Sequence, residues 1–459
     1  VEPQEDEENE EAMSERIVVI GGGAAGMSAA AKARRVNPGA EITVYEKSGY
    51  VSYGACGFPY FIKGDIPRVE ALIVRTPEEF ARQNIRVFVH HEVLAVDPDA
   101  RTVRVRALKH GRTFTQPWDR LILAAGGRPS RPPIPGLDLA GVFTLRVPED
   151  ALAIKRWLVE ERPVHGVIVG GGYIGVEMAE ALTAHGVHTT LVEMLPQLLP
   201  TFDADMAAHV LDTLTRHGVD VRLEHRVEAF EGRHGRVRAV VAGGRAFPAD
   251  VVIFSVGVRP SVELAQQAGL RLGPTGAVAV DDHQRTSHPA IWAAGDVAEV
   301  HHVVTDKPAY IPLGTTANKQ GRVAGTNAAG GEATFKGVMG TAALVVFDLE
   351  VARTGLSERE ALAHGLQAQS VTITSSAGAH YMPDHPPLHV KLVFEQGTKR
   401  LLGAQMVGRT GVAKRVDVVA AALHAGWTTT ELAALDLSYH PAVAPVWDPV
   451  LVAANVASR

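Results

Sequence analysis

One pattern of residues occurs twice in this chain and narrows its fold before composition is considered. Arg16-Ile-Val-Val-Ile-Gly-Gly-Gly-Ala-Ala-Gly26 is a short apolar run entering a glycine cluster, followed by an Ala-rich stretch to Arg35 and then Ile42-Thr-Val-Tyr-Glu46. Gly166-Val-Ile-Val-Gly-Gly-Gly-Tyr-Ile-Gly175 repeats the grammar, with a helical stretch to Ala184 and then Thr189-Thr-Leu-Val-Glu193. Each reads as strand, glycine turn, helix and strand. Two consecutive strands joined by a helix lie parallel, with a right-handed crossover. The expected class is α/β, with two Rossmann-like domains and a further α+β region at the C-terminal end.

Both turns carry the spacing Gly-x-Gly-x-x-Gly, as Gly21, Gly23 and Gly26 and as Gly170, Gly172 and Gly175. The first glycine permits the tight turn, the second admits a pyrophosphate to the backbone, and the third lets helix and strand pack. The free N–H groups and dipole of the helix N-terminus favour the anion. Glu46 and Glu193 close the second strands, 20 and 18 residues beyond the last glycine, where a carboxylate receives ribose hydroxyls. The predicted contacts of the first turn are Gly21, Gly22, Gly23, Ala24, Ala25 and Gly26; those of the second are Gly170, Gly172, Tyr173, Ile174 and Gly175. Two dinucleotide sites in one chain point to hydride traffic between two cofactors. Asp296, ending the apolar run Ala290-Ile-Trp-Ala-Ala-Gly295, suits a ribityl hydroxyl, so one cofactor is expected to be a flavin.

Length and composition bound the rest. With 459 residues the chain is long enough for about three domains. Seven acids crowd the first eleven residues, and without them 44 acids face 45 bases. Residues 1–14 read as an acidic disordered tail, and the near-neutral remainder argues against nucleic acid as a partner. No apolar run reaches the ~18 residues that span a bilayer, so neither a membrane nor a targeting segment is expected and the location reads as cytoplasmic. A single cysteine, Cys56, excludes an intramolecular disulfide and a cysteine-based zinc cluster. No metal site is expected.

The glycine motifs, the strands Leu121-Ile-Leu-Ala-Ala-Gly126 and Val251-Val-Ile-Phe-Ser-Val-Gly257 with their Arg-Pro closures (Arg128-Pro129 and Arg259-Pro260), and the Gly295-Asp296 element together resemble the two-dinucleotide-domain flavoprotein disulfide reductases. The resemblance runs from about residue 16 to the end. It implies FAD on the first site, NADH or NADPH on the second, and a homodimer built through a C-terminal domain. The domains expected are FAD-binding over 15–146 and 259–334, NAD(P)H-binding over 147–258 and dimerisation over 335–459. Ala125, Gly126, Arg128 and Gly257 join the cofactor contacts. Val416, Val419, Ala420 and Leu423 make an apolar helix face that calls for a cover, with a second subunit as one option.

Most such reductases use a cysteine pair, which this chain lacks. Cys56, in Ser52-Tyr-Gly-Ala-Cys56-Gly-Phe-Pro-Tyr60, resembles instead the single-cysteine branch of coenzyme A-disulfide reductases, NADH oxidases and NADH peroxidases. A lone thiol beside a flavin stores two electrons by cycling between thiolate and mixed disulfide, or between thiolate and sulfenic acid. Oxidase and peroxidase members carry a His where this chain has Ala24, which favours the disulfide reductase. That comparison brings in Tyr381 and Tyr439 as groups presented to the sulfur by the partner subunit. His440, beside Tyr439, is either an acid–base or a cap of the interface. Ser28, Lys32, Arg35 and Ser52 match positions lining a coenzyme A groove, and Arg82 and Trp447 are further candidates for it. Ala55 replaces an Asn common in the branch, removing one polar contact.

The resemblance also places Glu177 near the nicotinamide. Tyr173 can cover the flavin until nicotinamide displaces it. Lys47 reads equally as a cofactor contact or a surface charge. Glu193 would repel a 2′-phosphate, so NADH is preferred over NADPH. The expected reaction is hydride transfer from NADH through FAD to Cys56, which reduces coenzyme A disulfide or a related small disulfide or persulfide. Two alternatives stand: an oxidase or peroxidase working through a sulfenic acid, and a redox-sensing or electron-donating flavoprotein that binds a protein partner.

Overall fold

Runs of β-branched residues with little polar alternation bury both faces of a strand, which is the signature of parallel sheets covered by helices. Two such sheets form. In the computed structural model, which describes residues 14–459, the first has the strand order Ile291–Ala293, Arg120–Leu123, Arg16–Ile20, Glu41–Tyr45, Ile85–Phe88, all parallel. The second runs Asp220–Arg222, His188–Val192, His165–Val169, Val251–Phe254, Val142–Phe143, also parallel. Apart from Ser14, the tail expected over 1–14 lies outside the described residues.

The chain passes between the sheets twice. The Arg-Pro closures meet in an antiparallel ribbon of Gly127–Pro129 with Val258–Pro260, Arg128 opposite Arg259. The strand Val142–Phe143 already edges the second sheet, and Ile291–Ala293 returns to the edge of the first.

The helix of the first glycine unit, Ala24–Val36, lies against the helix Gly314–Ala328. A Cβ on Gly321 or Gly325 would collide with the carbonyl oxygens of Ala25 or Ala29. Only small residues allow that approach. It seals one face of the first unit with the chain's own backbone.

After residue 340 the architecture changes to a five-stranded antiparallel sheet, ordered Ala342–Val346, Leu349–Gly355, Leu401–Gly408, Pro387–Glu395, Ala368–Ser376. The expected apolar face forms on the helix Val412–His424, where Val416, Val419 and Leu423 are buried. Its cover is not a second subunit: the helix packs on the chain's own strands Leu349–Gly355 and Leu401–Gly408. Among the described residues no helix is long and apolar enough to cross a membrane, and no group of three or more His, Cys, Asp or Glu is arranged to hold a metal.

Candidate active site

The two glycine turns are near copies. Gly21 and Gly170 have φ of 103° and 104°, a region open to glycine, and a Cβ on Gly26 or Gly175 would collide with the carbonyl of Gly21 or Gly170. Around Gly23 and Gly172, by contrast, nothing lies within 4 Å of where a Cβ would stand. These residues begin the helices with no side-chain cap, leaving the first N–H groups available to a phosphate. Glu46 accepts from Gly22 N at 2.6 Å and Ser48 N at 2.7 Å. Glu193 accepts from Gly171 N at 2.7 Å and Leu195 N at 2.8 Å. Each carboxylate thus braces its glycine turn and keeps lone pairs for further donors.

Around the first cradle lie small residues: Ala24 and Ala25 begin the helix, and Ala125, Gly126 and Gly295 follow strand ends. Gly295 N donates to Gln320 Oε1 at 2.9 Å, which fixes the Gly-Asp turn. Asp296 is ion-paired with Arg146 at 2.6 Å. Tyr310, beside both, has a buried hydroxyl without a partner, as does Oε2 of Glu149. Burial holds the Tyr310 phenol well above its usual range. A glycine cradle, a carboxylate at the end of the second strand and buried polar atoms without partners fit a flavin dinucleotide. Sequence reasoning missed Arg146, Glu149 and Tyr310, since none stands in a motif and Arg146 is 150 residues from Asp296.

Cys56 occupies a short turn, Ala55–Gly57, leading into the helix Phe58–Lys63. Burial of Phe58, Phe61 and Ile62, each worth about 1.5–3 kcal/mol, fixes that helix against Pro148–Glu161 and against the second glycine helix, Tyr173–Ala184. Lys63 bridges to Glu180 at 2.8 Å, and His185 Nε2 meets Ile62 O at 2.7 Å. This packing sets the thiol in the field of Glu177. Cys56 is exposed, yet the protein around the sulfur pushes its pKa up, with the Glu177 and Asp296 charges adding and Arg146 opposing. Burial, and then the neighbouring Glu180 carboxylate, raise Glu177 itself to about 7. Tyr173 rests 6.5 Å from Phe202, centroid to centroid, and Ile174 packs in the same apolar cluster.

Tyr381 and Tyr439, 58 residues apart in sequence, join hydroxyl to hydroxyl at 2.7 Å. They are 61% and 48% exposed, and Val443, Val446 and Trp447, close after Tyr439 in sequence, are exposed as well. His440 is exposed; its Nδ1 accepts from Ala442 N at 3.4 Å and its carbonyl from Val443 and Ala444, so its contacts are those of a turn. Ser52 holds a left-handed φ of 51°, tied by its N–H to Gly22 O and by its carbonyl to Val74 N. Ser28 donates to Asn318 Oδ1 at 2.6 Å. Lys32 and Arg35 share the outer side of the first helix, Arg35 Nε bonding to Ala31 O at 3.0 Å. Arg82 ends the helix Pro77–Ala81 at the surface. Lys47 pairs with Glu92 at 2.8 Å and Arg128 with Glu263, both as surface charges, and Gly257 turns with φ 102°.

Comparison with known proteins gives the family and its relatives. Residues 15–330 match the family described as pyridine nucleotide-disulphide oxidoreductase, and residues 341–449 match its dimerisation domain. The chain is similar to an NAD(P)H coenzyme A polysulfide/persulfide reductase of Pyrococcus horikoshii, 40% identical over 94% of this chain and 96% of that one. It is 30% identical to a coenzyme A disulfide reductase of Staphylococcus aureus, over 91% of this chain and 93% of that one. The structure of a water-forming NADH oxidase from Lactobacillus brevis superposes with a TM-score of 0.92 at 30% identity, covering 97% of this chain and 98% of that one.

Proposed function

The chain belongs to the pyridine nucleotide-disulphide oxidoreductases and is an FAD-dependent NAD(P)H oxidoreductase; on that premise we propose that it reduces a sulfur–sulfur bond carried by coenzyme A, a disulfide or persulfide, through Cys56. The observation that carries the reading is one exposed thiol beside the second nucleotide helix, within the field of Glu177, Arg146 and Asp296. The coenzyme A named in the relatives supports the substrate class.

FAD, when bound, accepts hydride from NADH and passes the electron pair onward. This chain's residues do the rest. Glu46 and the Gly21–Gly26 turn hold the flavin nucleotide, and Glu193 and the Gly170–Gly175 turn hold NADH. Tyr173 yields to the nicotinamide. The Cys56 thiolate attacks one sulfur of the disulfide, forming Cys56–S–S–CoA and expelling the other coenzyme A as thiolate. Arg146 favours the attacking anion. In a homodimer, the paired hydroxyls of Tyr381 and Tyr439 protonate the leaving thiolate. Two electrons and a proton then cleave the mixed disulfide, release the second coenzyme A and restore Cys56. The balance is NADH, a proton and the disulfide giving NAD⁺ and two thiols. Lys32, Arg35, Ser28 and Ser52 lie on the first unit, where cations and hydroxyls suit the nucleotide phosphates of coenzyme A. Arg82 and Trp447 are further candidates for the coenzyme A groove, and His440 shapes the turn that carries Tyr439.

The test is anaerobic NADH oxidation with coenzyme A disulfide or persulfide, beside an aerated sample with neither. Turnover only with the sulfur substrates is expected, and oxygen-driven turnover of equal rate would move the assignment to an oxidase. Cys56→Ser should lower disulfide turnover more than ~10³-fold, since no other thiol exists to replace the nucleophile, while flavin reduction by NADH persists. Disulfide turnover that survives the substitution sinks the mechanism.

A further inference from the structure

The loop that backs Tyr173 belongs to the second nucleotide unit, yet its polar groups are met by the C-terminal region. At one end Leu199, with φ 45°, donates its N–H to Gly171 O at 2.9 Å, joining the loop to the glycine turn. At the other end, Asp203 N donates to Gln405 Oε1 at 2.7 Å while Gln405 Nε2 donates to Asp203 Oδ2 at 2.6 Å. The Asp203 carboxylate also accepts from the Glu358 and Arg359 N–H groups at 3.0 and 3.2 Å and meets Lys391 at 3.3 Å. Between these anchors Arg353 donates to Thr201 O and Arg359 to Pro200 O. Arg353 is further fixed by Glu360 and by Gly355 O at 2.6 Å, and its guanidinium lies 6.0 Å from the Phe202 ring centroid. Phe202 is fully buried and is the ring on which Tyr173 leans.

An ionic cluster whose central members, Asp203, Arg353 and Lys391, are buried and paired resists rearrangement, because removing one strands the others in a medium that cannot hydrate them. The segment behind Tyr173 is therefore rigid, whereas Tyr173, the first residue of the glycine helix, is only partly buried. We propose that Arg353, Arg359 and Gln405 are positioning residues for hydride delivery: by clamping Pro200–Asp203 they fix Phe202 as the backstop against which Tyr173 rests and from which it swings as nicotinamide enters. The proposal rests on the reading of Tyr173 as the residue that gives way to NADH. It makes the rate of flavin reduction depend on residues outside both nucleotide sites.

The experiment measures flavin reduction by NADH in holoenzyme, by anaerobic rapid mixing. A parallel series mixes dithionite-reduced enzyme with coenzyme A disulfide. Arg353→Lys keeps the charge but loses the two-armed reach, and should slow flavin reduction about tenfold. Arg359→Gln, at an exposed position, should slow it about twofold, and it decides the matter if Arg353→Lys does not fold. Reoxidation by disulfide should be unchanged in both. In a Tyr173→Ala background both effects should vanish, because the residue being positioned is gone. Wild-type flavin reduction in folded variants, slowing that persists undiminished without Tyr173, or equal slowing of both half-reactions would overturn the proposal. Tyr173→Ala with unaltered NADH kinetics would overturn it through its premise, leaving the Cys56 chemistry intact.

Discussion

The two glycine units, residues 16–46 and 166–193, share one backbone solution and differ in what surrounds it. Their turns match to within a degree in φ at the first glycine and within 0.1 Å in the hydrogen bonds of Glu46 and Glu193. At the position after Gly23 and Gly172, however, the first unit has Ala24 and the second Tyr173. The first helix is sealed by Gly321 and Gly325, a contact that cannot open without parting two backbones. The second packs on the Cys56 helix and on the C-terminal strand Ala342–Val346, and its turn ends in the Tyr173 ring, the gate proposed above. One cradle thus suits a resident cofactor, and the other suits a nucleotide that must leave each cycle. On the proposed assignment, affinity for pyrophosphate comes from what the units share, and residence time from what they do not.

The sharpest way to break that comparison is Gly26→Ala against Gly175→Ala. Each added methyl would overlap a carbonyl, and overpacking of this kind costs about 1–3 kcal/mol or more. Gly26→Ala should yield protein lacking flavin, read as loss of visible absorbance per chain. Gly175→Ala should keep its flavin and lose most NADH-driven reduction. Loss of flavin from both would mean that the units are not independent. Gly23→Ala and Gly172→Ala meet nothing within 4 Å, so they should fold normally and weaken only the respective nucleotide.

A smaller effect is expected from the two carboxylates. Glu46→Ala should weaken flavin retention. Glu193→Ala should leave flavin in place, raise KM for NADH about tenfold and narrow the preference over NADPH, as it removes both the ribose acceptor and the repulsion of a 2′-phosphate. Steady-state kinetics with both nucleotides checks this. An unchanged NADH to NADPH ratio would remove Glu193 as the selector.

What could be read from the chain follows the same division. The shared part was legible because it is local: three glycines, a helix and a carboxylate within about thirty residues leave a pattern. Cys56 was legible because it is alone. Tyr381 and Tyr439 could be named from resemblance, but their hydrogen bond depends on two separate segments converging at the edge of the C-terminal sheet. Arg146, Tyr310 and the Arg353–Gln405 clamp left no signal. Arg146 reaches Asp296 across 150 residues, Tyr310 stands in no motif, and the clamp joins residues 201–203 to the C-terminal region, so their placement is set by topology rather than by local pattern. The helix face of Val416, Val419 and Leu423 was seen correctly as apolar, yet periodicity alone did not reveal that the chain's own sheet covers it.

The subtlest difference between the units is electrostatic, and Glu177 exposes it. The first helix, Ala24–Val36, carries no acid; the second places Glu177 beside Cys56, raised to about 7 by burial and then by Glu180. The folded protein therefore holds a proton on Glu177 between the ordinary carboxylate range and about pH 7 that the unfolded chain does not. Stability falls as pH rises through that window, and the loss is complete above it. Glu177→Gln removes the ionisation, so its melting temperature should match wild type near pH 4.5. The variant should pull ahead as pH rises and hold a lead on the order of 2–4 °C at pH 8. The same charge opposes thiolate formation at Cys56, so the pH at which disulfide reduction accelerates should move downward in the variant. Melting curves and rapid-mixing rates across pH 5–9 measure both. A lead that is constant with pH would place the effect in packing, and an unmoved rate profile would separate Glu177 from the thiol it faces.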